Sequence, residues 1–304
     1  MILVSDYIVQ GKIMFSSRED LFYFSDLSHE ELRSLQLKLT NLLNVFDEFC
    51  KENKLRYYLT YGTCLGAVRH KGFIPWDDDL DVTMPRDDFE RLFQLWNNVD
   101  NRYQLLRPTK NVLTGVHIGQ LRDSETTCIY DYAKDYDICQ GIKIDITPLD
   151  GCPDNKLLQI KQGFFCRVYG LMSAQRVPNH GSKKIKMLAK WVLFFIRSRN
   201  LRFLIFHYAE QQVKKYKFVD FDKIRCAYNL ILDKKIFGEP LYVEFEGKLR
   251  PVPQEYDKYL RIHYGNYMDF PPEEKRKPET KVFFLDLNSP HAKYKGNKYC
   301  CNDK

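Results

Sequence analysis

Four carboxylates in five residues, Asp77, Asp78, Asp79 and Asp81, stand in the segment Gly72-Phe-Ile-Pro-Trp-Asp-Asp-Asp-Leu-Asp-Val-Thr-Met84. Such groups repel one another, so a chain that gathers them beside apolar residues needs a compensating cation. A hard divalent ion, Mg²⁺ or Mn²⁺, suits carboxylate oxygens and keeps positions open for phosphate. The order Asp79-Leu80-Asp81-Val82 alternates acid and apolar. On a strand, this puts Asp79 and Asp81 on one face and buries Leu80 and Val82 on the other. The two Cα atoms would then lie about 7 Å apart, close enough to grip one metal or a pair. A calcium loop does not fit, because the EF-hand ligand spacing and its central glycine are absent.

Two further elements extend this chemistry. Gly62-Thr63 ends an apolar run and precedes a short helical stretch from Cys64. A strand–turn–helix of this kind offers backbone N–H groups and a hydroxyl to a phosphate. Asp145 sits between isoleucines in a later strand pattern. Two close carboxylates and a third from another strand are what two-metal phosphoryl or nucleotidyl transfer requires. Basic residues must complement the phosphates. Arg69 and Lys71 lie between the turn and the acids, with Arg86 and Arg122 as secondary candidates. His70 reads as structural.

The elements that must position these residues are legible in part. Ser28-His-Glu-Glu31 fits a capping box, followed by apolar residues at helical spacing from Leu32 to Phe49. This predicts a helix to about Asn53. Leu55–Tyr61 reads as a buried strand. Pro85 fits the first position of a helix with Asp87 and Asp88 in its first turn. Strand patterns follow at 103–106, 116–121 and 126–130. In Gly141–Pro148, Ile142, Ile144 and Ile146 alternate with Lys143, Asp145 and Thr147. The element order gives an α/β (α+β) class, with a catalytic core over 1–150 and a basic, mainly helical region over 151–304 that completes the site. Residues 154–235 read as mainly helical, 238–250 as a hairpin or extended segment, 256–264 as a short helix, and everything beyond Pro271 as a polar tail.

The 304 residues carry a net charge of +7, which suits anionic partners without choosing among them. Nine cysteines lack CxxC spacing. They read as reduced thiols in a cytoplasmic protein, with little support for zinc. The N-terminus lacks the basic and apolar regions of a signal peptide, and no apolar run is long enough to span a membrane. The segment Lys183–Phe206 mixes cations with bulky apolar residues. It reads either as a helix lying on an anionic inner leaflet or as a core helix with a basic wet face.

Tyr61–Arg86, read as a block, resembles the signature of LicD-family phosphotransferases, which are related to fukutin and the fukutin-related protein. Tyr256–Met268 followed by Pro271-Pro272 resembles a second family segment, with Asn266 where the family usually has Asp. The resemblance implies a nucleotidyltransferase-like core sheet with flanking helices. It implies transfer of a phospho-alcohol, typically phosphocholine from CDP-choline, to a hydroxyl of a cell-surface glycan such as lipopolysaccharide, teichoic acid or capsule. The family's Asp-x-Asp-x-Asp metal pattern falls on Asp77, Asp79 and Asp81. By alternation Asp77 shares their face, and Asp78 points the other way. The expected partners are a CDP-alcohol donor and a glycan or lipid-linked glycan acceptor, with no nucleic acid. A nucleotidyltransferase using the same metal site is the alternative enzyme. A non-catalytic nucleic-acid or membrane-binding module is the rival from another class.

Overall fold

The structure is a computed structural model. It describes residues 22–112, 114–174, 182–226, 230–278 and 280–301, together with two short strands nearer the N-terminus. The expectation about the extreme N-terminus falls outside the described residues.

The first half contains β1 (Ile8–Val9), β2 (Lys12–Ile13), β3 (Phe22–Tyr23), α1 (His29–Glu52), β4 (Tyr58–Leu59), α2 (Tyr61–His70), β5 (Asp81–Pro85), α3 (Arg86–Leu95), β6 (Tyr103–Leu106), β7 (Gly119–Asp123), β8 (Thr127–Tyr130) and β9 (Lys143–Cys152). The second contains α4 (Lys156–Ala174), α5 (Lys183–Phe195), α6 (Arg199–Lys214), β10 (Lys223–Cys226), β11 (Leu230–Asp233), β12 (Leu241–Phe245), β13 (Lys248–Val252), α7 (Tyr256–Tyr264) and β14 (Lys281–Asp286). The class is mixed α/β, as expected.

The central sheet is organised around β9. Its first half lies between β7, antiparallel, and β5, parallel, with Asp81 opposite Asp145. β4 extends the sheet beyond β5, and β6 extends it beyond β7. The second half of β9 pairs with β10, which pairs with β11. Ile142, Ile144 and Ile146 are fully buried, as their alternation predicts. α1 covers the sheet with Leu35, Leu39, Leu42, Leu43 and Phe46, and each buried leucine contributes about 1.5–3 kcal/mol. Its capping box is present: the Ser28 hydroxyl accepts from the Glu31 N–H at 3.2 Å, and the Glu31 carboxylate accepts from the Ser28 N–H at 2.8 Å.

Three readings need correction. Helix α2 begins at Tyr61 rather than Cys64, so Gly62 and Thr63 lie in its first turn. The helical pattern of 154–235 stops at Lys214, and Lys223–Cys226 and Leu230–Asp233 form two strands that join the central sheet. The polar tail contains β14, the strand that pairs with β2, β3 and β8 in a second sheet. Val282, Phe283, Phe284 and Leu285 are buried there. A strand this short shows little periodicity, and the charges before it mask its apolar run.

Candidate functional site

The acidic segment lies along the edge where α2, β5 and β9 meet. Strand β5 starts at Asp81, and Asp77–Leu80 leads into it as extended chain. Asp78, Leu80 and Val82 are buried, whereas Asp77, Asp79 and Asp81 are half-buried toward a cleft. Alternation therefore holds across the whole acidic run. Several groups fix the backbone. Gln36 of α1 donates to the Asp77 carbonyl at 2.9 Å. The Thr63 hydroxyl accepts from the Asp81 N–H at 2.9 Å. The Asp145 N–H donates to the Leu80 carbonyl at 3.0 Å. Gly62 leaves room for the Asp77 carboxylate: a Cβ there would stand 2.8 Å from Asp77 Oδ2 and displace it.

Burial and mutual repulsion disfavour the charged form of these carboxylates. Burial raises the Asp77 carboxyl well above its usual range, and Asp79 and Asp78 raise it further. Burial, Asp79 and Asp145 do the same to Asp81. Asp79 is pushed up to about 6, by burial and then by Asp78. Asp77 Oδ2 is buried without a hydrogen-bond partner. One carboxylate oxygen each from Asp77, Asp78 and Asp79 lies within 4.8 Å of the others. An all-carboxylate set with an orphaned oxygen fits a hard divalent cation. Proximity thus brings in Asp78, which alternation had set aside. Its carboxylate, however, already accepts from the Thr280 N–H at 3.1 Å and the Thr280 hydroxyl at 2.8 Å.

Asp145 stands beside Asp81 across the parallel pair. It accepts from Gln120 at 2.8 Å and forms a short ion pair with Lys143. Burial opposes the charge on Lys143, but Asp145 holds its ammonium above the usual range. Tyr264, in the second resembling segment, has its hydroxyl raised by burial and by Asp77, Asp81 and Asp79.

The structure brings together Gly62, Thr63, Asp77, Asp79, Asp81 and Asp145. It does not bring the expected cations to them. Arg69 stacks on Phe270 and donates to the carbonyls of Tyr267 and Asp269. Lys71 reaches Glu244 on the β12–β13 hairpin. Arg86 is buried and bidentate to Asp150, at 2.7 Å on both bonds. Arg122 is fully buried, held by Gln120 and the Cys139 carbonyl; through Gln120 it positions Asp145. Thr63 is also corrected: its buried hydroxyl serves the Asp81 backbone. Lys143, paired with Asp145, is the cation among the acids, and Lys275 and Lys277 line a cleft of about 360 Å³ with Trp76, Asp77, Asp78 and Asp79. Nothing local marks the latter two in the sequence. The Asp78–Thr280 contacts fold them back across about 200 positions. The nine cysteines are free thiols and do not join the acidic group.

Comparison with known proteins agrees with this geometry. Residues 54–151 match the model of the LicD/FKTN/FKRP nucleotidyltransferase domain. The lipopolysaccharide cholinephosphotransferase LicD of Haemophilus influenzae is 32% identical over 263 residues, covering 81% of this chain and 95% of that protein. The chain belongs to the LicD family and is a transferase. Mannosyltransferase regulator 4 of Saccharomyces cerevisiae is 27% identical over 148 residues, 47% of this chain but 12% of that protein.

Proposed function

We propose that the chain transfers a phospho-alcohol, with phosphocholine favoured, from a CDP-activated donor to a hydroxyl of a cell-surface glycan such as lipopolysaccharide. The observation that carries this reading is the aligned set Asp77, Asp79 and Asp81 beside Asp145, with an orphaned oxygen on Asp77. The cholinephosphotransferase relative supports the choice of group and acceptor.

In this reading Asp77, Asp79 and Asp81 would hold Mg²⁺ or Mn²⁺. A bound cation would lower the acceptor hydroxyl's pKa and offset charge on the leaving phosphate. Lys275 and Lys277 bind the donor's diphosphate from the opposite wall, and the N-terminus of α2 adds its backbone dipole. Asp145, held by Lys143 and Gln120, orients the acceptor hydroxyl; its oxygens retain lone pairs for this contact. The acceptor oxygen bonds to the phosphorus that carries the alcohol. The bond from that phosphorus to CMP breaks, CMP leaves, and the hydroxyl proton passes to solvent or base. Residues 151–304 complete the site through the 275–280 segment and α7.

Incubation with labelled CDP-choline, Mg²⁺ and a lipopolysaccharide acceptor tests this. Metal-dependent CMP release with labelled glycan is expected. Pyrophosphate release from CTP, without CMP release from any CDP-alcohol, would instead establish the nucleotidyltransferase alternative, which the matched domain description keeps in view.

A further inference from the structure

Residues 155–209 contain eleven Lys and Arg and no Asp or Glu. The rest of the chain holds the other 36 cations against all 40 acids, so the net positive charge arises in this stretch. The described part of it folds as α4, α5 and most of α6. On α5, Met187, Leu188, Trp191, Phe194 and Phe195 are between 55% and 71% exposed, and their spacing places them on one helical face. Ala189 and Leu193 are buried on the opposite side. α4 exposes Leu157, Ile160 and Phe164, and α6 exposes Leu201, Leu204 and Tyr208, each set at i, i+3 and i+7. Ring contacts from Phe164 to Phe165 and from Phe165 to Tyr208 join the α4 and α6 surfaces.

Apolar stripes of this extent in water mark an interaction surface. Exposed Lys183, Lys184 and Lys190 border the α5 stripe, and Arg197 lies 4.5 Å over the Phe194 ring. A face with bulky aromatic and aliphatic groups, surrounding cations and no acid complements an anionic lipid surface. We propose that α4–α6 docks in the interface of an anionic bilayer. The placement has a consequence for the site. The Tyr169 hydroxyl donates to the His117 carbonyl at 2.6 Å, and Ser173 donates to the Val116 carbonyl at 2.5 Å. These carbonyls lie just before β7, whose Gln120 holds Asp145. The membrane-bound layer would therefore hold the acidic cleft near a lipid-anchored acceptor. Lipid docking itself does not depend on the transferase reading.

The test uses the full chain and sedimentation with vesicles of phosphatidylcholine alone or mixed with phosphatidylglycerol. Binding is expected only to the mixed vesicles and should weaken as salt rises. Replacing Lys183, Lys184 and Lys190 by Gln should lower partitioning by roughly a hundredfold, with the circular-dichroism spectrum and melting temperature unchanged. Vesicles should also shift tryptophan emission to the blue, and Trp191→Phe should remove the shift. Equal binding to both vesicle types, no binding, or a blue shift retained by Trp191→Phe overturns the proposal. A dimer disrupted by Phe194→Ser/Phe195→Ser, without vesicle binding, overturns it in favour of a second copy of the chain.

Discussion

The acidic cleft and the α4–α6 layer solve opposite charge problems. In the cleft, Asp77, Asp79 and Asp81 are crowded and largely enclosed, and their carboxyls are driven above the usual range by burial and mutual repulsion. They remain in place because Gln36, Thr63 and β9 hold their backbone. In the layer, exposed cations stand beside exposed apolar side chains, with no acid from residue 155 to 209. Enclosure makes each uncompensated charge in the cleft costly. Exposure makes the layer suited to a broad surface, where long Lys and Arg stems cover apolar area while their heads stay hydrated. The seam between the two regions is a conventional ion cluster: Glu90 of α3 accepts from Lys214 of α6 and from Arg107.

The largest effect that would sharpen this contrast is Asp79→Asn. Turnover should fall at least about a thousandfold, about 4 kcal/mol of transition-state stabilisation. The metal-free fold should be no less stable, because a repelling charge has gone. Stopped CMP release with an unchanged or raised melting temperature is the expected pair of readings. Near-normal activity would remove Asp79 from the site.

Next is Arg86→Gln, which leaves Asp150 buried without its partner. A loss of about 3–5 kcal/mol in stability is expected by denaturant titration. The KM for donor in the folded fraction should be unchanged. A selective rise in donor KM without loss of stability would return Arg86 to the phosphate site.

Lys275→Ala and Lys277→Ala should each cost about 1.5–3 kcal/mol of donor binding, the range for hydrogen bonds to charged groups. Calorimetry with CDP-choline and, separately, with Mg²⁺ reads this: donor affinity falls while metal affinity is kept. Equal loss of both would place the lysines in the fold rather than the cleft.

The smallest effect concerns the seam. The Glu90 carboxyl is lowered from 4.5 to about 2; burial opposes this, but Lys214, Arg107 and Arg86 outweigh it. Its stabilisation is present above the unfolded value and is lost as pH falls through the folded one. Glu90→Gln should therefore cost on the order of 1–3 kcal/mol near neutrality. The gap from the parent should close between about pH 4.5 and 2. A gap independent of pH would assign Glu90's contribution to packing instead.

Side chains that obey local periodicity were legible before the fold was known. Ser28 and Glu31 were legible as the cap of α1 because a capping box spans only four residues. Leu80 and Val82 fell opposite Asp79 and Asp81 because strand side chains alternate, and Ile144 and Ile146 of β9, with Ile142 just before it, were buried for the same reason. Arg69 and Arg86 were misread because nearness in sequence says nothing about direction. Arg69 turned to the 267–270 loop and Arg86 to Asp150. Lys143 was visible on Asp145's face, and the structure pairs the two side chains.

By itself the sequence determined which acids share a face and the family to which this pattern belongs. Each of these depends on residue type and short-range spacing. The tertiary structure alone decided which cations answer them. Lys275 and Lys277 line the cleft beside the acids because Asp78 accepts from Thr280, a contact between residues about 200 positions apart. It also decided that the apolar face of α5 stays outside, since burial depends on what packs against a helix, and here Ala189 and Leu193 face inward.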